Sequence, residues 1–92
     1  MPHPPVVTLV QSPACHLCLD AEQALAELSA RFPVEVRTVQ LDSEEGRALV
    51  ALHRPPMSPL ALVDGVFLSS GRLPRKKLAA LLAGRAAAMA AG

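Results

Sequence analysis

The run Val6-Val7-Thr8-Leu9-Val10 is almost unbroken in apolar character and dominated by β-branched residues. Strands with one face in solvent alternate; a near-continuous apolar run belongs to a strand buried on both faces, at the centre of a sheet. Ser12-Pro13-Ala14 interrupts it, and from about Cys15 onward Leu17, Ala21, Ala24, Leu25, Leu28 and Phe32 recur at helical spacing. Pro33 ends that helix, because a proline disfavours helical geometry in the residue before it.

Val34 to Leu41 reads as a second strand, rich in valine and alternating with Glu35 and Arg37 at its start, although Val39 and Leu41 fall out of phase. Two strands joined by a helix make a βαβ unit, with parallel strands and a right-handed crossover. Asp42, with Glu45 three residues on, predicts a capped helix start. Ala48, Leu49 and Leu52 give this second helix a short apolar face, and Pro55-Pro56 closes it. Leu60 to Val63 and Val66 to Leu68 flank Asp64-Gly65, a pair suited to a two-residue hairpin because both central positions need positive φ. Pro74 suits the first turn of a final helix with the apolar stripe Leu73, Leu78, Leu81 and Leu82. The alanine-rich Arg85 to Gly92 either prolongs that helix or frays. The expected order is β-α-β-α-β-β-α, a single α/β domain over residues 1–92 with 1–5 and 85–92 as candidate flexible ends. Its four-stranded mixed sheet is covered by three helices, with the strands in spatial order two, one, three, four.

Composition narrows the partners. Phe32 and Phe67 are the only aromatic residues, so the core rests on Leu, Val and Ala, and base stacking has little material. A net charge of +1 gives no broad field to attract nucleic acid or an anionic membrane. Met1-Pro2-His3-Pro4-Pro5 lacks the basic segment and apolar core of a signal peptide, and no apolar run approaches the roughly 20 residues that span a bilayer. A cytoplasmic monomer is the expectation, and a reducing compartment disfavours a permanent structural disulfide.

The two cysteines, Cys15 and Cys18, sit where the first strand gives way to the first helix. The attacking species in disulfide exchange is a thiolate, and a free cysteine, with a pKa of about 8.5, is only slightly ionised at neutral pH. Unpaired amide hydrogens and the positive end of the dipole at a helix amino terminus stabilise the anion. Cys15 is thus the candidate nucleophile, and Cys18, three residues later, is the candidate resolving thiol. His16 in the spacer adds positive charge when protonated; a solvent-facing histidine without a role is the competing reading. A cysteine pair in a βαβ context reads as a thioredoxin-like redox motif. Two buried small apolar residues would be the bland alternative.

Ser12-Pro13-Ala14-Cys15-His16-Leu17-Cys18 after the first strand, with Met57-Ser58-Pro59 before Leu60 to Val63 and Asp64-Gly65, resembles a small glutaredoxin-like protein of the thioredoxin superfamily. The resemblance spans Val6 to about Leu82 and implies a glutaredoxin-type thioredoxin-like fold and a dithiol–disulfide oxidoreductase acting on protein or small-molecule disulfides. It implies that the Ser58-Pro59 bond is cis, with Pro59 against the cysteines and the Ser58 backbone available to a bound peptide or glutathione. No bound cofactor is implied; a thiol such as glutathione, or a reductase, would supply electrons. This chain departs from the family in carrying His16-Leu17 where glutaredoxins have proline and tyrosine, and Ser69-Ser70-Gly71-Arg72 where they have a Gly-Gly followed by polar residues. Ser70 and Arg72 are the candidate carboxylate binders at that place.

Other readings remain. Arg72, Arg75, Lys76 and Lys77 form a basic cluster that is either an anion site or a solvated face. His53 and Arg54 are weaker candidates to line a substrate groove. A metal or iron–sulfur cluster on Cys15 and Cys18 is a second functional reading, although a structural zinc wants four ligands and only His3, His16, His53 and methionines are left to help. A redox-inactive interaction domain is the third.

Overall fold

The computed structural model describes residues 3–13 and 15–91; Met1, Pro2, Ala14 and Gly92, and with them parts of the expected flexible ends and of the Ser12-Pro13-Ala14 break, lie outside the described residues. The elements are β1 (Val6–Gln11), α1 (His16–Ser29), β2 (Glu35–Gln40), α2 (Glu44–His53), β3 (Leu60–Val63), β4 (Val66–Ser70) and α3 (Arg75–Ala91). The sheet order is β2-β1-β3-β4, with β1 parallel to β2 and antiparallel to β3, and β3 antiparallel to β4. Element order, mixed sheet and strand order all agree with the sequence reading.

The apolar β1 run explains the layering. Val7 and Leu9 point into a core shared with Ala21, Leu25 and Leu28 of α1 and Leu78 and Leu82 of α3. Val10 points the other way, into a smaller core with Val39, Leu60 and Leu62 that Leu49 and Val50 of α2 cover. Alternate residues of one strand thus supply two cores, as the period of two requires. Each fully buried leucine contributes roughly 1.5–3 kcal/mol relative to leaving it in water.

Several local expectations change. α1 ends at Ser29 rather than near Phe32, and the turn that follows it is closed by the Arg31 and Phe32 amides, which share the Leu28 carbonyl. Phe32 still packs against the larger core from that turn. β2 is an edge strand in which only Val39 is buried and Val36 is 41% exposed. The start of α2 shifts by one residue: Ser43, not Asp42, is the N-cap, its hydroxyl accepting from the Gly46 amide at 3.0 Å and donating to the Gln40 carbonyl at 2.6 Å. The physical reason is steric fit within the turn, since Gly46 presses so closely on the Gln40 carbonyl that any side chain there would collide with it. Glu45 instead forms an ion pair with Arg37 of β2. That rotation turns Leu49 and Val50 to the sheet and leaves Ala48 and Leu52 exposed, Leu52 by 74%.

The hairpin forms as expected, with Asp64 at φ 50° and Gly65 at φ 82°. Asp64 also accepts from the Val6 amide through Oδ1 at 2.9 Å and pairs with Arg85 of α3 at 2.7 Å. Pro74 lies just before α3, its carbonyl accepting from the Leu78 amide, and the helix runs on through the alanine-rich tail to Ala91.

Candidate functional site

The break after β1 delivers Cys15 to the amino terminus of α1 as its N-cap residue, in an extended backbone conformation (φ −106°, ψ 112°). Its Sγ accepts from the Cys18 backbone amide at 3.1 Å. An N–H that would otherwise lack a helical partner therefore points at sulfur, and such a donor holds a thiolate more strongly than a thiol. The first turn of α1 carries no acidic residue to oppose that charge. Cys15 and Cys18 form a disulfide with Cα atoms 5.1 Å apart. The two are not equivalent: Cys18 is 4% exposed, whereas Cys15 is only partly covered. The accessible sulfur is thus the one at the helix terminus. His16 is the first residue of α1 and is exposed.

Sheet register brings the other candidates to the same end. Val10 faces Leu60 across β1 and β3, so Pro59 comes next to the end of β1 from which the cysteine loop departs. The Ser58-Pro59 bond is cis, and Pro59 is fully buried. Leu60 in turn faces Ser70 on β4, and the Gly71 amide donates to the Pro59 carbonyl at 3.0 Å. Gly71 adopts φ 83°, and a side chain there would crowd the Met57 sulfur. The register therefore brings Ser58, Pro59 and half-buried Ser70 to the end of the sheet from which the cysteine loop departs, and Arg72 follows two residues after Ser70, exposed.

Arg75 is not part of an open basic patch. It bonds Asp20 of α1 at 3.0 Å and approaches Glu27 at 3.5 Å, tying α3 to α1, and Asp20 holds its guanidinium above the ordinary arginine range. Arg72, Lys76 and Lys77 remain exposed. His53 is directed to Phe67 on β4, with ring centres 6.3 Å apart, rather than to the cysteines. Among the described residues no three His, Cys, Asp or Glu side chains converge to hold a metal ion. Among them, too, no helix is long and apolar enough to cross a membrane.

One part of the site escaped the sequence reading. Gln11, the last residue of β1, donates from Nε2 to Glu22 of α1 at 2.9 Å, and both line a recess against Cys15 and Cys18. The available signal was that Glu22 lies four residues after Cys18, hence on the same helix face.

No protein-family model and no curated protein matches this chain at the level of sequence. Solved structures do match its fold. An uncharacterised thioredoxin-like protein from Clostridium perfringens superposes with a TM-score of 0.71 at 12% identity, covering 91% of this chain and 72% of that one. A mutant thioredoxin from Halobacterium salinarum gives a TM-score of 0.69 at 18% identity, covering 91% and 76%. The fold is thioredoxin-like, and it carries a close cysteine pair at the head of its first helix.

Proposed function

We propose that this chain is a dithiol–disulfide oxidoreductase of glutaredoxin-like type. The observation that carries the reading is the inequality of the two sulfurs: a partly accessible Cys15 that accepts a helix amide, and a buried Cys18 within disulfide reach of it. In the reduced protein the Cys15 thiolate attacks one sulfur of a substrate disulfide. A Cys15–substrate bond forms as the substrate S–S bond breaks, and the other substrate sulfur leaves as a thiolate that takes up a proton. Cys18 then loses its proton and attacks Cys15 Sγ, releasing the second substrate thiol and closing the Cys15–Cys18 disulfide. Two electrons pass from the dithiol to the substrate, and a thiol such as glutathione or a reductase returns them.

Ser58 and Pro59, with Ser70 and Arg72 beyond, form the facing wall against which an extended substrate would lie, and the positive Arg72 suits a substrate carboxylate. His16 adds positive charge beside Cys15 when protonated. The protein would act as a cytoplasmic monomer on disulfide-bearing proteins or small thiols, with no resident cofactor. Replacing Cys18 with Ser tests the mechanism, because the first exchange remains possible and the second does not. Cys18→Ser protein incubated with a small disulfide should accumulate one mixed disulfide on Cys15, visible as a mass increase that dithiothreitol removes; an unmodified Cys15 would reject the reading.

A further inference from the structure

A recess of about 270 Å³ opens directly beside the Cys15–Cys18 disulfide, walled by Gln11, Leu19, Glu22 and Gln40. Cys15 itself lines it, so the recess lies beside whatever is bonded to that sulfur. Three features define what it would accept. α1 carries three acidic side chains, Asp20, Glu22 and Glu27, and Arg75 takes the first and last; among the described residues Glu22 pairs with no cation. The uncompensated carboxylate is therefore the one on the recess. Secondly, the Gln11 amide spends a donor on Glu22, so the polar group the recess leaves to a guest is an acceptor, the Glu22 carboxylate. Thirdly, Leu19 is 64% exposed on the rim, an apolar surface on which an aliphatic stem can lie while its charged head stays polar.

We propose that this recess is a side-chain subsite for a lysine or arginine that neighbours the reactive cysteine of a peptide or protein disulfide. The proposal rests on the oxidoreductase reading and adds a substrate preference to it. An acidic residue at the same position would meet Glu22 and be disfavoured, so selectivity arises from repulsion as well as attraction.

The test uses pre-reduced protein and single-turnover rates, which need no electron donor. Three peptide disulfides identical except for Lys, Gln or Glu beside the cysteine are compared. The expected order is Lys over Gln over Glu, with about a three- to fivefold span between the extremes at low salt, shrinking as ionic strength rises. Glu22→Gln keeps an acceptor for Gln11 and removes only the charge; it should collapse the span, and Glu22→Lys should invert it. Glu27→Gln, on the same helix but outside the recess, should leave the span in place. Equal wild-type rates for all three peptides, or a span that survives Glu22→Gln, would overturn the subsite while leaving the oxidoreductase reading intact. Failure to reduce any of the peptides, together with no mixed disulfide in Cys18→Ser, would overturn the parent reading instead.

Discussion

The two ends of the sheet are built on opposite principles. At the end where β1 begins, the Asp64 carboxylate accepts from the Val6 amide and pairs with Arg85, while its own amide donates to the Val6 carbonyl. One turn residue thereby joins the hairpin, the central strand and the last helix. At the other end, where β1 stops, the strand gives way at Ser12 and Pro13, a partly accessible sulfur meets a helix amide, and among the described residues Glu22 has no cation partner. Side-chain bonds between distant elements tie the first end, and the second keeps an accessible sulfur. Reactivity requires groups whose best partner is absent until substrate arrives, and a domain of 92 residues can tolerate them only if its other end is well tied.

That contrast breaks most sharply at Cys15. Cys15→Ser removes the nucleophile, and disulfide reduction should fall by more than about 10³-fold, the scale on which loss of a covalent nucleophile acts. Stability should move the other way. Serine is among the preferred N-cap residues, and its hydroxyl can accept the Cys18 amide as the sulfur does, so the variant should match reduced wild type or exceed it by up to about 1 kcal/mol. Urea denaturation of both proteins under reducing conditions checks this. A large destabilisation would show that the reactive end also carries the fold.

Asp64→Ala probes the other end and should do the reverse. It deletes the acceptor for the Val6 amide and the partner of Arg85, and it places alanine at φ 50°, a region that only glycine, asparagine and aspartate adopt at little cost. A loss of about 2 kcal/mol is expected in urea denaturation. Cysteine reactivity toward a small disulfide should stay within about twofold. If both quantities fell together, the two ends would be coupled rather than separate.

How much of this was legible in the sequence differs between the two ends for physical reasons. The central strand, the helix that follows it and the Asp64-Gly65 turn are encoded locally, by apolar periodicity and by positive φ, and all three appear where they were read, the helix ending three residues early. The cysteine site was equally legible, because a helix amino terminus is a local feature and Cys15 lies on it. The Asp64 contacts with Val6 and Arg85 were not, since they join residues far apart in the chain. The same holds for Arg75, which looked like one member of a basic cluster until α1 supplied Asp20 and Glu27. The Ser43 cap is a different case, settled within the short stretch from Gln40 to Gly46. Asp42 and Glu45 satisfy the local pattern as well as Ser43 does, and what decides is the fit of Gly46 against the Gln40 carbonyl.

The smallest expected effect separates the charge of Asp64 from its geometry. Asn in its place keeps an oxygen for the Val6 amide and tolerates positive φ, but gives up the negative charge that Arg85 pairs with. The Val6 amide, and after it Arg85, hold the Asp64 carboxyl below its ordinary value, against a partial opposing effect of burial. A carboxylate whose folded pKa is depressed adds stability above its unfolded value of about 3.9, and that stability is lost as pH falls through the lower folded value. At pH 7, wild type should therefore exceed Asp64→Asn by less than about 1 kcal/mol, the range for a partly exposed ion pair. The gap should hold down to about pH 5, shrink as pH falls below the unfolded value of about 3.9, and close only once pH has passed the lower folded value, where wild type is protonated and as neutral at this position as the variant. Urea midpoints measured for the pair across that range decide the point. A gap that widened in acid would place the stabilising charge elsewhere, and a gap absent at pH 7 would leave the tie at this end to the amide bond and the turn geometry alone.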